Sequence, residues 1–118
     1  MATVSEQATK PNGDWSQLLV DKVVFVTGAG GAIGGAIAQA CAQHGARVVI
    51  ADVNKTGADE IAAKIINGDD NKKDYVMAIE LDMIDEQSIQ NAVKTVVDKW
   101  NTIDVLVNKY AHFLISVN

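Results

Sequence analysis

The chain has 118 residues, a formal net charge of −5 and a hydrophobic content of 48%, which suits one domain around one core and excludes wholesale disorder. With 10 basic against 15 acidic residues and Arg47 as the only arginine, the electrostatic footprint of a nucleic-acid binder is missing. A lone Cys41 excludes an internal disulfide or a cysteine zinc site and fits a reducing compartment.

Residues 1–16 are polar, contain the only proline, Pro11, and read as a flexible leader. Met1 to Gln7 lack the basic and apolar regions of a signal peptide, and no stretch approaches the roughly 20 apolar residues that span a bilayer. A soluble, cytoplasmic chain without membrane or nucleic-acid partners is therefore expected. Val23–Thr27 is a continuous apolar, largely β-branched run ending at Gly28, the pattern of a strand buried on both faces. After the glycines, Ile33, Ile37, Cys41 and His44 recur at helical spacing, and Gly45 stops that helix. Residues 47–51 form the second strand, closed by Asp52. A helix over about 56–66 places Ile61, Ile65 and Ile66 on one face, and residues 67–73 read as a polar loop. Residues 75–81 give a third strand, and Asp85 suits the cap of the next helix. There Ile89, Ala92, Val93, Val96, Val97 and Trp100 make the strongest amphipathic stripe in the chain. Residues 103–107 are the fourth strand. Strands alternating with helices imply an α/β fold, a doubly wound parallel sheet of Rossmann type truncated to four strands, in the order 3-2-1-4. Gly28 and Asn108 then face each other across the crevice where such sheets bind ligands.

The segment from Thr27 to Gly35 joins the first strand to its helix and is rich in glycine. Glycines let the backbone turn sharply and let a pyrophosphate approach N–H groups at the positive end of a helix. The strand before it and the helix after it make this run informative. No Lys-Ser or Lys-Thr follows the last glycine, so it is not a P-loop. The alternative is that these glycines serve only close helix–strand packing. A carboxylate at Asp52 can accept both hydroxyls of an adenosine ribose and repels a 2′-phosphate, which predicts NAD over NADP. Its alternative is a cap or turn residue. Arg47, at the other end of the same strand, does not rescue a phosphate site.

These residues resemble the classical short-chain dehydrogenase/reductase family. Thr27-Gly28, with Ala32-Ile33-Gly34, is similar to the family's TGxxxGIG loop, with Ala32 where its middle glycine stands. Asp52 matches the acidic residue of NAD-preferring members. Leu81-Asp82-Met83 is similar to the segment in which an aspartate contacts the adenine and the next residue packs on it; a strand-end turn is the alternative for Asp82. Residues 103–108 resemble the IDVLVNNAG segment up to its first asparagine. The resemblance covers residues 22–108 and implies a cofactor-binding set of Gly28, Gly30, Gly31, Ala32, Ile33, Gly34, Asp52, Asp82, Met83 and Asn108, with NAD as cofactor and hydride transfer between an alcohol or carbonyl and NAD(H) as the family reaction.

After Asn108 the family continues Asn-Ala-Gly, whereas this chain reads Lys109-Tyr110-Ala111. The family's catalytic serine and Tyr-x-x-x-Lys pair have no matching positions, so no catalytic residue is assigned, and Lys109, Tyr110 and Ser116 are not substitutes. A message reading AA and then GTA encodes Lys109-Tyr110, and GT after AA is how an intron begins. Residues 109–118 are accordingly expected to be a non-family tail, with residues 17–108 as an NAD-binding half-domain. Three functions follow: an inactive cofactor half of a dehydrogenase, a non-catalytic NAD(H)-binding fragment that pairs with a full-length family subunit, or a mis-spliced product without its own role. The fourth strand is expected to be an exposed edge, with Val93 and Val97 partly wet. Cys41 reads as a packing residue, His44 as a helix-end cation, and the 69–73 charges as a solvated loop.

Overall fold

A computed structural model describes residues 18–109; the expected leader 1–16 and all of the expected tail but Lys109 lie outside the described residues. The elements run β1 (Val23–Thr27), α1 (Ala32–Gln43), β2 (Arg47–Asp52), α2 (Lys55–Ile66), a 3-10 helix (Asp70–Tyr75), β3 (Val76–Glu80), α3 (Glu86–Trp100) and β4 (Val105–Asn108). All four strands are parallel in the order β3-β2-β1-β4, the expected Rossmann-type sheet. Thr27 pairs with Ala51 on one side and Asn108 on the other, so the strand ends are level.

Strand alternation divides the core in two. Val24, Val26, Val48 and Ile50 point to the face covered by α1 and α2, where Ala38, Ala58 and Ile61 meet them. Val23, Phe25, Val49 and Ala51 point to the other face, against Ala92 and Val96 of α3. β1 and the middle of β2 are therefore buried on both sides, which explains their unbroken apolar sequence. Each such side chain contributes about 1.5–3 kcal/mol. The second face has less cover: Val93 and Val97 on α3 remain 40% and 38% exposed, as expected of a partly wet stripe.

Helix ends follow local chemistry. Asn54 caps α2 by accepting from the Gly57 N–H, and Asp85 caps α3 by accepting from the Gln87 N–H at 2.9 Å. Asn67 and Asn101 end the same helices in the left-handed region.

The structure departs from the sequence reading at three places. The residues aligned at helical spacing on α1 are only partly its buried face: Cys41 packs against the core, but Ile33 is 63% exposed, while Gly34, Gly35 and Ala38 are the fully buried positions. A Cβ on Gly34 would stand 2.3 Å from the Gly28 carbonyl oxygen, so α1 lies too close to the loop for larger side chains. The polar loop after α2 winds into a 3-10 turn because Asp69 accepts from the Asn71 N–H and Lys73 pairs with Asp70 at 2.9 Å. That turn delays β3 to Val76. β4 begins at Val105, not residue 103: the Asp104 carboxylate accepts from the Val23 N–H at 2.8 Å, a side chain standing in for a ladder bond.

Candidate functional site

Four strand ends and one helix start converge at the carboxyl edge of the sheet. Gly28 leaves β1 with φ +65°, in the left-handed region, and turns the chain toward α1. Gly31 caps α1 without a side chain, and no acidic residue stands in the first turn. The N–H groups there carry the positive end of the helix dipole with no carboxylate competing for them. A Cβ on Gly31 would approach nothing nearer than 3.8 Å. The glycines thus divide their work: Gly34 permits close packing, whereas Gly31 leaves the helix end open. Ala32 and Ile33 are exposed beside that opening.

Asp52 ends β2 next to this loop. Its Oδ2 accepts from the Gly30 N–H at 2.9 Å and its Oδ1 from the Asn54 N–H at 2.8 Å. Both oxygens are held in place, yet a carboxylate has about four acceptor positions, so two remain for further donors. A Cβ on Gly30 would lie 3.0 Å from the carboxylate, so a side chain there would press on it. Arg47 begins β2, about 17 Å away at the strand rise, and faces Asp21 and Tyr75 instead.

Asp82 follows β3. The Leu81 N–H donates to the Asp52 carbonyl at 3.0 Å, which places the Asp82 turn beside the end of β2. The Asp82 Oδ1 accepts from the Ile84 N–H, and its own N–H donates to Ser88 Oγ at 2.9 Å. Met83 is half-buried against the second core. Asn108 ends β4, and its Oδ1 accepts from the Thr27 hydroxyl at 2.7 Å. The same hydroxyl accepts from the Lys109 N–H at 3.1 Å.

All ten residues expected at the site therefore lie at one edge of the sheet. Gly30 and Asp52 are in direct contact, Asn108 is tied to the end of β1, and Asp82 and Met83 occupy the adjoining loop. The sequence reading missed three supporting residues. Thr27, a buried hydroxyl at 2% exposure, joins the ends of β1 and β4. Asn54 fixes Asp52 from below, and the Asp52-x-Asn54 spacing is a turn signature that signals this. Ser88 holds the Asp82 backbone from α3, a contact across six positions with no sequence mark.

Cys41 and His44 stand apart from this edge, toward the far end of α1. Partial burial pushes the Cys41 thiol up from its ordinary pKa. His44 is the C-cap of α1, and its backbone N–H donates to the Ala40 and Cys41 carbonyls.

Comparison with known proteins agrees with this geometry. The short chain dehydrogenase family model matches residues 22–112. Sorbitol dehydrogenase of Cereibacter sphaeroides is 40% identical over 92 residues, covering 78% of this chain and 33% of that protein. D-threitol dehydrogenase of Mycolicibacterium smegmatis is 39% identical over 102 residues, covering 86% and 38% respectively. Among solved structures, 3-ketoacyl-(acyl-carrier-protein) reductase from Brucella melitensis complexed with NADH superposes with a TM-score of 0.63 at 33% identity, over 74% of this chain and 33% of that one. The chain thus spans about a third of the length of the relatives it matches. No described helix is long and apolar enough to cross a membrane. A match over most of the chain, on a parallel sheet with a glycine loop and a strand-end carboxylate, shows that the chain belongs to the short-chain dehydrogenase family of oxidoreductases.

Proposed function

We propose that residues 17–108 are the dinucleotide-binding portion of a dehydrogenase and that they hold NAD(H) in preference to NADP(H). The observation that carries this reading is Asp52, held by Gly30 and Asn54 with acceptor positions to spare beside the open start of α1. The pyrophosphate lies against the N–H groups of Gly31 to Gly34, where the helix dipole favours negative charge. The ribose hydroxyls donate to Asp52, Asp82 and Met83 flank the adenine, and Asn108 borders the cofactor at the end of β4. A 2′-phosphate beside Asp52 meets like charge and a carboxylate without donors. When bound, the nicotinamide supplies hydride chemistry, and the protein's part is to bind and orient it.

The 118 residues contain no Tyr-x-x-x-Lys pair. Because that pair supplies the family's proton transfer, these residues on their own are expected to bind cofactor and not to turn over an alcohol. The whole enzyme's hydride transfer between an alcohol or carbonyl and NAD(H) is the family activity that this portion serves.

Fluorescence titration with both reduced cofactors tests the reading. NADH is expected to bind about tenfold or more tightly than NADPH, a difference of about 1.4 kcal/mol. Asp52→Asn is expected to remove most of that difference, and equal binding of the two cofactors by the unaltered chain would falsify the preference. A second reading, as a subunit-interaction fragment located in the cytoplasm, draws on β4, where Val105 and Leu106 are 40% and 63% exposed. Co-purification with a longer dehydrogenase subunit supports it, and a lone aggregating chain opposes it.

A further inference from the structure

At the amino edge of the sheet, opposite the cofactor end, a cavity of about 450 Å³ opens between the ends of α1 and α2 and the 3-10 helix. That volume falls within the range of about 300–1,000 Å³ seen for small-molecule sites. Its apolar lining comes from Val20, Ala42, Ala46, Ile65 and Val76. Three of the chain's 10 basic side chains, Arg47, Lys64 and Lys72, stand around it against a single acid, Asp21. This is a local excess of positive charge on a chain of net charge −5.

The basic groups are little used by the protein itself. Among the described residues, Lys64 and Lys72 make no ion pair, whereas Lys55, Lys73 and Lys94 each hold an aspartate on their own helix. Arg47 reaches Asp21 only at 3.9 Å, and that carboxylate is 84% exposed. Its guanidinium instead lies 5.3 Å from the centre of the Tyr75 ring, which orients a flat cation in the cavity wall. The carboxyl ends of α1 and α2 also face this region and work against an anion, but several of their carbonyls are already bonded. The Ala63 carbonyl accepts from Asn67, the Ala42 carbonyl from Gly45, and the Cys41 carbonyl from His44 and Ala46.

The geometry points to a second binding site here, distinct from the cofactor edge, for a small aromatic carboxylate. The flat body packs on the apolar lining and stacks with the Arg47–Tyr75 pair, and the carboxylate meets Arg47, Lys64 and Lys72. No covalent step is involved. The site does not depend on the proposed cofactor reading.

Isothermal titration of the full chain with naphthoate tests this, with uncharged naphthylmethanol as comparator. Saturable binding of naphthoate is expected, at least about tenfold tighter than the alcohol. Lys64→Gln/Lys72→Gln leaves the fold intact, since neither side chain is buried, and is expected to weaken naphthoate about tenfold. Arg47→Lys keeps the charge and is expected to weaken it as well, by loss of stacking. An NADH titration of the double variant, unchanged from the parent, confirms that the cofactor edge is separate. No saturable binding, equal binding of the alcohol, an unaffected double variant, or displacement of naphthoate by NADH would each overturn the proposal.

Discussion

Gly34 and Gly31 sit three residues apart and answer to different constraints. A methyl group on Gly34 would overlap the Gly28 carbonyl oxygen, a backbone atom that cannot swing aside, whereas the same group on Gly31 makes only an ordinary 3.8 Å contact with that oxygen. Gly34→Ala is therefore expected to cost about 2–4 kcal/mol in urea unfolding, and Gly31→Ala about 0.5 kcal/mol, from the poorer helix cap alone. Loss of NADH affinity in Gly31→Ala without loss of stability assigns that position to the ligand. Thr27→Val removes the hydroxyl shared by Asn108 and Lys109, and is expected to cost about 1 kcal/mol because both hydrogen bonds are lost while their half-buried or exposed partners can still meet water. For Cys41, burial raises the folded thiol pKa above its unfolded value. The proton is held more tightly in the fold, so this stabilisation is complete below the unfolded pKa and is lost as pH rises through the folded one. Alkylation by iodoacetamide at mildly alkaline pH is expected to be slow in the native chain and fast in urea, a contrast that a solvent-facing thiol does not show.

Among the elements, α3 owes its place to a stripe and a cap. Ala92 and Val96 are buried, and Asp85 supplies an acceptor for the first turn. Asp85→Ala is expected to lower stability by about 1 kcal/mol, read from the midpoint of urea unfolding at constant slope. The strands were legible because continuous apolar runs bounded by glycine or aspartate admit few other readings. The buried face of α1 was not legible in the same way. A pattern search weights isoleucine above glycine, yet here the contact is so close that the smallest residues face inward and Ile33 faces out. The 3-10 turn at Asp70–Tyr75 escaped notice because it rests on side-chain contacts of Asp69 and Lys73 and not on periodicity. At the site, the loop glycines and Asp52 were visible from type and position. Ser88 was not, since its hydroxyl meets the Asp82 backbone only once β3 and α3 are folded together.

On the scale of the whole molecule, the two edges of the sheet are unequal. β3 carries the 3-10 turn at its start and a charged Glu80 at its end, whereas β4 presents Val105 and Leu106 to solvent. An apolar outer strand is a template for pairing with another chain, and a lysine on it blunts that tendency. Leu106→Lys is expected to reduce self-association in sedimentation without altering NADH affinity, because its side chain is 63% exposed and away from Asn108's bond to Thr27. The pairing of β1 with β4 also has a consequence in time. The contact between Val23 and Asp104 joins positions 81 residues apart, so a ribosome adding about 5–20 residues per second needs about 4–16 s to supply the second after the first. Until β2 is made, β1, the most deeply buried strand of the finished protein, has no strand partner, and from then until β4 follows it has one on one side only. The nascent chain is thus most vulnerable at the strand that ends up best protected, and a slower passage through codons 28–104 prolongs that exposure while a faster one shortens it.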